Sequence, residues 1–161
     1  MKKIITVILV LAMALSLCAC GAKKVESVPN TLGQQLYQQF NAKVEAGETD
    51  AQALADALLQ SDALPFEGGM TAEMEEGFLM GFTTDIVGFE KAVMFAPMIG
   101  SIPFVGYVFE LSSADACEAF CAMLLENCDP RWNICTEADE TVCGSAENLV
   151  FFVMCSNEQA E

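Results

Sequence analysis

Cysteine is the side chain best supplied for chemistry in this sequence. Beyond Cys18 and Cys20, the thiols are Cys117, Cys121, Cys128, Cys135, Cys143 and Cys155. A thiolate can attack a disulfide, pair into one, or bind a soft metal ion. The spacings run C-x3-C, C-x6-C, C-x6-C, C-x7-C and C-x11-C, with none of the tight C-x-x-C knuckles of familiar zinc sites. At 100° per residue, Cys117, Cys121 and Cys128 fall within about 40° of one another on a helix, on the face that also carries Phe120 and Leu124. That placement favours small core residues. Two chemical readings stay open beside it. One is a bridge from this helix to Cys135, Cys143 or Cys155 on a facing strand. The other is a thiol or metal site in which Cys117, Cys121, Cys128 and Cys155 converge. A Cys117–Cys121 disulfide is disfavoured, because helical i, i+4 neighbours stand about 5–6 Å apart at Cβ and a disulfide needs about 3.8 Å.

The remaining chemistry is restricted by what is missing. The chain has no His, which excludes Ser-His-Asp and Cys-His relays and His-ligated metals. Arg131 and Trp132, the single Arg and the single Trp, stand side by side as a candidate recognition anchor. The plainer reading has Trp132 plugging the end of the core and Arg131 paired with Asp129 or Glu137. Glu137, Asp139 and Glu140 crowd one turn but lack the alternation and central Gly of an EF-hand loop, so a solvated turn is the better reading. Paired carboxylates for hydrolysis can be picked anywhere among 23 acidic residues, so their presence discriminates nothing.

Several elements must position these groups. Leu32, Leu36, Phe40 and Val44 recur every fourth residue, which predicts an amphipathic helix from Thr31 to Ala46 ended by Gly47. A second helix follows, with Thr49 as N-cap, Gln52 completing a capping box, and Leu54, Ala55, Leu58 and Leu59 as its apolar face. Thr71 to Phe82 reads as a short helix with Met74, Phe78 and Phe82 on one face, against the grain of Gly77 and Gly81. Ala92 to Ile99 and Phe104 to Leu111 read as strands around a Gly100–Pro103 turn. If that turn is exposed, Ile99, Ile102 and Phe104 make a docking patch. A helix from Ser112 or Ser113 to Asn127 comes next, then strand segments at Asn133–Glu137, Thr141–Gly144 and Leu149–Cys155. The last is apolar on both faces and so is expected at the centre of a sheet covered on each side. The expected class is α+β: a single small domain, N-terminal helices plus a mixed or antiparallel sheet of about five strands, with one helix inserted between strands.

The N-terminus is a different kind of segment. Lys2 and Lys3 precede an apolar run from Ile4 to Leu17, which is shorter than the roughly 20 residues of a bilayer span and fits a signal peptide. Leu17-Cys18-Ala19-Cys20-Gly21 resembles a bacterial lipobox, departing from it only in carrying Cys18 where Ala, Ser or Thr is usual. By that resemblance the chain is cut before Cys20, whose thiol receives a diacylglycerol and holds the protein on the outer face of the cell membrane. The expected organisation is signal peptide 1–19, lipidated tether 20–30, α+β domain 31–157 and frayed tail 158–161.

Formal net charge is −16, from 7 basic and 23 acidic residues, and four of the basic ones are Lys2, Lys3, Lys23 and Lys24. The body keeps Lys43, Lys91 and Arg131. Such a surface repels nucleic-acid phosphates and anionic headgroups alike. Hydrophobic residues make up 53% of the chain, a globular composition rather than a disordered one.

Three stretches together, Met98–Tyr107, Arg131–Glu140 and Val150–Cys155, resemble hypothetical lipoproteins of gut-dwelling Gram-positive bacteria. The resemblance implies a single extracytoplasmic domain and brings no catalytic residues with it. The function expected from the sequence is a non-enzymatic envelope lipoprotein, without cofactor, that binds an envelope protein or small ligand. A thiol-based redox or metal-handling protein using the cysteines from Cys117 to Cys155 is the alternative, and a carboxylate hydrolase ranks third.

Overall fold

The computed structural model describes residues 31–133 and 135–157. The expected signal peptide, lipidation of Cys20, tether and frayed tail lie outside the described residues. Helix α1 (Leu32–Glu45) starts at Thr31, whose extended backbone and side-chain oxygen cap the amide of Gln34. It buries Leu36, Phe40 and Val44, the period-four face, and stops where Gly47 takes φ of 97°.

Helix α2 (Ala51–Leu59) is capped by Asp50, which accepts from the Ala53 amide at 2.8 Å. The expected Thr49 cap with its Gln52 capping box does not form. The amides of Thr49 and Asp50 both donate to Glu48 Oε1 at 3.0 Å, which delays the helix by one residue. Gln52 turns its amide to Asp56 and Thr71 instead.

Strands β1 (Gly69–Met74), β4 (Lys91–Pro97), β5 (Phe104–Glu110), β6 (Glu140–Ala146) and β7 (Leu149–Cys155) form an antiparallel sheet in the order β1-β4-β5-β7-β6. Strands β2 (Gly77–Phe78) and β3 (Asp85–Ile86) make a separate small ribbon. After β5, a 3-10 turn (Ala114–Ala116) leads into helix α3 (Cys117–Asn127), which carries the chain across the sheet to the far edge. Strand β6 forms that edge, and β7 folds back between it and β5. The domain is therefore α+β, with a helix lying between strands.

The helix expected over Thr71–Phe82 is replaced by β1 and the ribbon. Pairing of Thr71 with Phe95 and Ala72 with Met94 along the buried strand β4 outweighs the weak period-four pattern. Gly77 and Gly81, with φ of 136° and 93°, break any helix there. Phe78 is consequently 70% exposed, whereas Phe82 is buried. The strand expected at Asn133–Glu137 is also absent among the described residues. Its neighbourhood turns on itself, with Trp132 N–H to Asp129, Thr136 N–H to Asn133 and Ala138 N–H to Pro130.

Both faces of the sheet are covered. Helices α1 and α2 lie over Val93, Phe95, Phe104, Val108, Phe151 and Val153. Helix α3 and the Leu79–Ile86 excursion lie over Met94, Val105, Tyr107, Phe109, Phe152 and Met154. This sandwiching explains why all seven residues of β7 are buried.

Candidate functional site: an acidic cleft and a thiol pair

The cleft arises where α1 begins, β7 ends, and the loop after α2 crosses between them. One compartment of about 560 Å³ is lined by Leu32, Leu64, Phe66, Asp62, Glu67 and neighbouring residues. A second, of about 470 Å³, is lined by Ile102, Pro103, Thr136, Glu137 and Asp139. Pro65 and Ser156 line both, so the compartments adjoin. Leu32, Leu64, Phe66 and Ile102 are half-buried against the α1/α2 core, and Phe66 meets Phe104 edge-on at 5.1 Å between centroids. Asp62, Glu67, Glu137 and Asp139 are exposed around this apolar floor. Thr136 Oγ1 is buried and has no hydrogen-bond partner among the described residues.

Behind the cleft sits a firmly held carboxylate. Glu140 accepts from Thr31 Oγ1 at 2.5 Å and from the Gly33 amide at 2.8 Å, tying the first residue of β6 to the positive end of α1. Cys155 Sγ points at the same carboxylate at 3.6 Å. Burial, and then the Glu140 charge, push this thiol far above its ordinary value. Cys155 therefore lies on the α1/α2 face of the sheet, and the expected convergence of Cys117, Cys121, Cys128 and Cys155 is not realised. A two-residue strand period separates the faces: Glu140, Val142 and Gly144 turn to α1, while Cys143 turns to α3.

On the α3 side the thiols are arranged differently from the helical expectation. Cys117 is buried, and its Sγ donates to the carbonyls of Ser113 at 3.8 Å and Glu147 at 3.5 Å. Burial, and secondarily Cys121, raise its pKa. Cys121 is half-buried, and Cys143 Sγ donates to its sulfur at 2.8 Å. That hydrogen bond favours the Cys121 thiolate and lowers its pKa, while the same bond and burial drive Cys143 strongly upward. Cys128 is half-buried just past the helix end, in extended backbone, and bonds the Leu125 carbonyl at 3.3 Å. Cys135 is exposed. Among the described residues no group of three or more Cys, Asp or Glu is placed to hold a metal ion. Cys143 completes the pair; the sequence names it among the possible bridge partners of this helix but not in the set Cys117, Cys121, Cys128 and Cys155 read as converging. Its signal in the sequence is the alternation of β6, legible only once β6 is known to be an edge strand under α3.

Arg131 and Trp132 diverge. Trp132 is half-buried against the α3-side core, as a plug. Arg131 is exposed, with its Nε 3.6 Å from Glu137 Oε2 on the cleft rim. The turn after β4 also divides: Met98 and Ile99 are 74% and 63% exposed, but Phe104 is buried and Ile102 half-buried in the cleft floor. The docking patch expected from Ile99, Ile102 and Phe104 is thus reduced to its tip. Scans of family models, curated proteins and solved structures find no match to this chain.

Proposed function

We propose that this chain is a lipid-anchored binding module of the cell envelope, held by Cys20, and that its acidic cleft takes a small organic cation with an apolar body. The observation that carries the reading is the pair of adjoining compartments with an apolar floor and four carboxylates, Asp62, Glu67, Glu137 and Asp139, on the rim. Each compartment falls in the range of about 300–1,000 Å³ usual for small-ligand sites. The floor would desolvate an aromatic or aliphatic body, and the rim would hold the charge where water still reaches it. Thr136 contributes to the wall of the second compartment. Binding rather than turnover is the activity proposed.

Titration calorimetry with phenethylammonium and with its neutral counterpart 2-phenylethanol tests this directly. The cation is expected to bind at least several-fold more tightly, with affinity falling as salt rises. Glu67→Gln and Asp139→Asn should each weaken it by about 0.2–1 kcal/mol, the range of exposed charge pairs. Equal binding of the two probes, or of neither, would overturn the reading.

A further inference from the structure

We propose that Cys121 and Cys143 form a reversible disulfide that clasps helix α3 to the edge strand β6. Their sulfurs stand 2.8 Å apart, well inside ordinary non-bonded contact for two sulfur atoms, and the residues belong to different elements 22 positions apart. Closing to a bond length of about 2.05 Å needs a small movement of side chains already facing each other. No other pair of described cysteines has its sulfurs in contact in this way. Cys117 is committed to two backbone carbonyls, Cys128 to a third, and Cys155 lies across the sheet beside Glu140. This inference does not depend on the cleft.

The chemistry is thiol–disulfide exchange with a small disulfide such as oxidised glutathione as oxidant. Cys121, half-buried on α3 and lowered in pKa by the bond from Cys143, attacks as thiolate. It forms a mixed disulfide and expels one glutathione thiolate, which takes up a proton. Cys143 then loses its proton to solvent and attacks the Cys121 sulfur, expelling the second glutathione. Two protein thiols become one disulfide, and the oxidant leaves as two molecules of glutathione.

The clasp has a structural consequence. Among the described residues, strand β6 pairs with β7 on one side and with no strand on the other. An edge strand is a template for unwanted pairing, and a covalent tie to α3 keeps it from peeling away.

The test uses the full chain, equilibrated in glutathione buffers from fully reduced to fully oxidised, then alkylated and digested, and it is read on the peptides of the six cysteines from Cys117 to Cys155, apart from those of Cys18 and Cys20. Oxidation is expected to join the Cys121 and Cys143 peptides with a loss of about 2 Da, leaving Cys117, Cys128, Cys135 and Cys155 alkylated. Dithiothreitol should restore both thiols. The oxidised form should melt higher by on the order of 10 °C, and Cys121→Ser should abolish that shift. Alkylation of both Cys121 and Cys143 across the whole range would overturn the proposal. So would a bridge from Cys143 to Cys128 or Cys117. Because the peptide map is read on the unmutated chain, a serine variant that failed to fold would leave the test intact.

Discussion

At the scale of single residues, placement rather than type separates the carboxylates of this protein. Glu140 is held by Thr31 and the Gly33 amide at the start of α1, and Asp50 plays the corresponding part for α2 while also meeting Lys91 at 3.1 Å. Replacing Glu140 with Gln puts a donor where two donors already converge. Glu140→Gln should cost about 1–2 kcal/mol in urea denaturation, in the range of lost caps and charge-assisted bonds. Asp50 has its pKa lowered from 3.8, first by the Ala53 amide and then by Lys91. A depressed carboxylate stabilises the fold above its unfolded pKa and loses that contribution as pH falls through the folded one. Asp50→Asn keeps a good cap but loses the charge. The variant should therefore be less stable than the parent at pH 7, with the gap closing below the ordinary carboxylate range, as urea midpoints at the two pH values would show.

At the scale of elements, the sheet is fitted to its helices by small residues at particular points. A Cβ at Gly106 would clash with the ring edge of Phe95 on the neighbouring strand, and one at Gly144 would clash with the ring of Tyr37 on α1. Gly106→Ala should thus destabilise the domain by about 1–3 kcal/mol through overpacking, although alanine suits a strand better than glycine. The β6–β7 hairpin makes the opposite case. Glu147 turns it with φ of 54°, a left-handed conformation unfavourable to glutamate. Glu147→Gly should raise stability by about 0.5 kcal/mol, the relief of that strain less the added freedom of the unfolded chain. Thermal melts of both variants decide the signs.

At the scale of the whole molecule, charge governs two responses in opposite directions. The body sets Lys43, Lys91 and Arg131 against a crowd of carboxylates, and two of those bases are engaged with Asp50 and Glu137. Self-repulsion of like charges weakens as salt screens it, so sodium chloride should raise the melting temperature. The same screening should weaken capture of a cation at the cleft rim. Melting curves and calorimetry across one salt series would show the two trends crossing. If both moved together, the rim carboxylates would not be the source of ligand affinity.

The fold was largely legible in the sequence wherever a pattern was long and one-sided. The period-four face of α1 and the seven-residue apolar run of β7 each demand one environment, and each found it. The β4–β5 pair followed from two apolar runs around a Gly and Pro turn. Short, mixed patterns misled. Thr71 to Phe82 carries both a weak helical period and strand-compatible residues, and the choice fell to β4, a partner distant in sequence that needed an edge neighbour. The cysteines divide in the same way. Helical spacing placed Cys117 in the core, since that depends on α3 alone. Which thiol meets Cys121 depended on how β6 docks, and whether Cys155 could join them depended on which face of the sheet it lines. The cleft has no sequence signature, because the lining loops lie as far apart as residues 62 and 157. Composition and local period determined the long one-sided elements, the acidity and the exclusion of histidine chemistry. The tertiary structure alone decided the neighbours, because contacts across a sheet are set by strand order and register rather than by spacing along the chain.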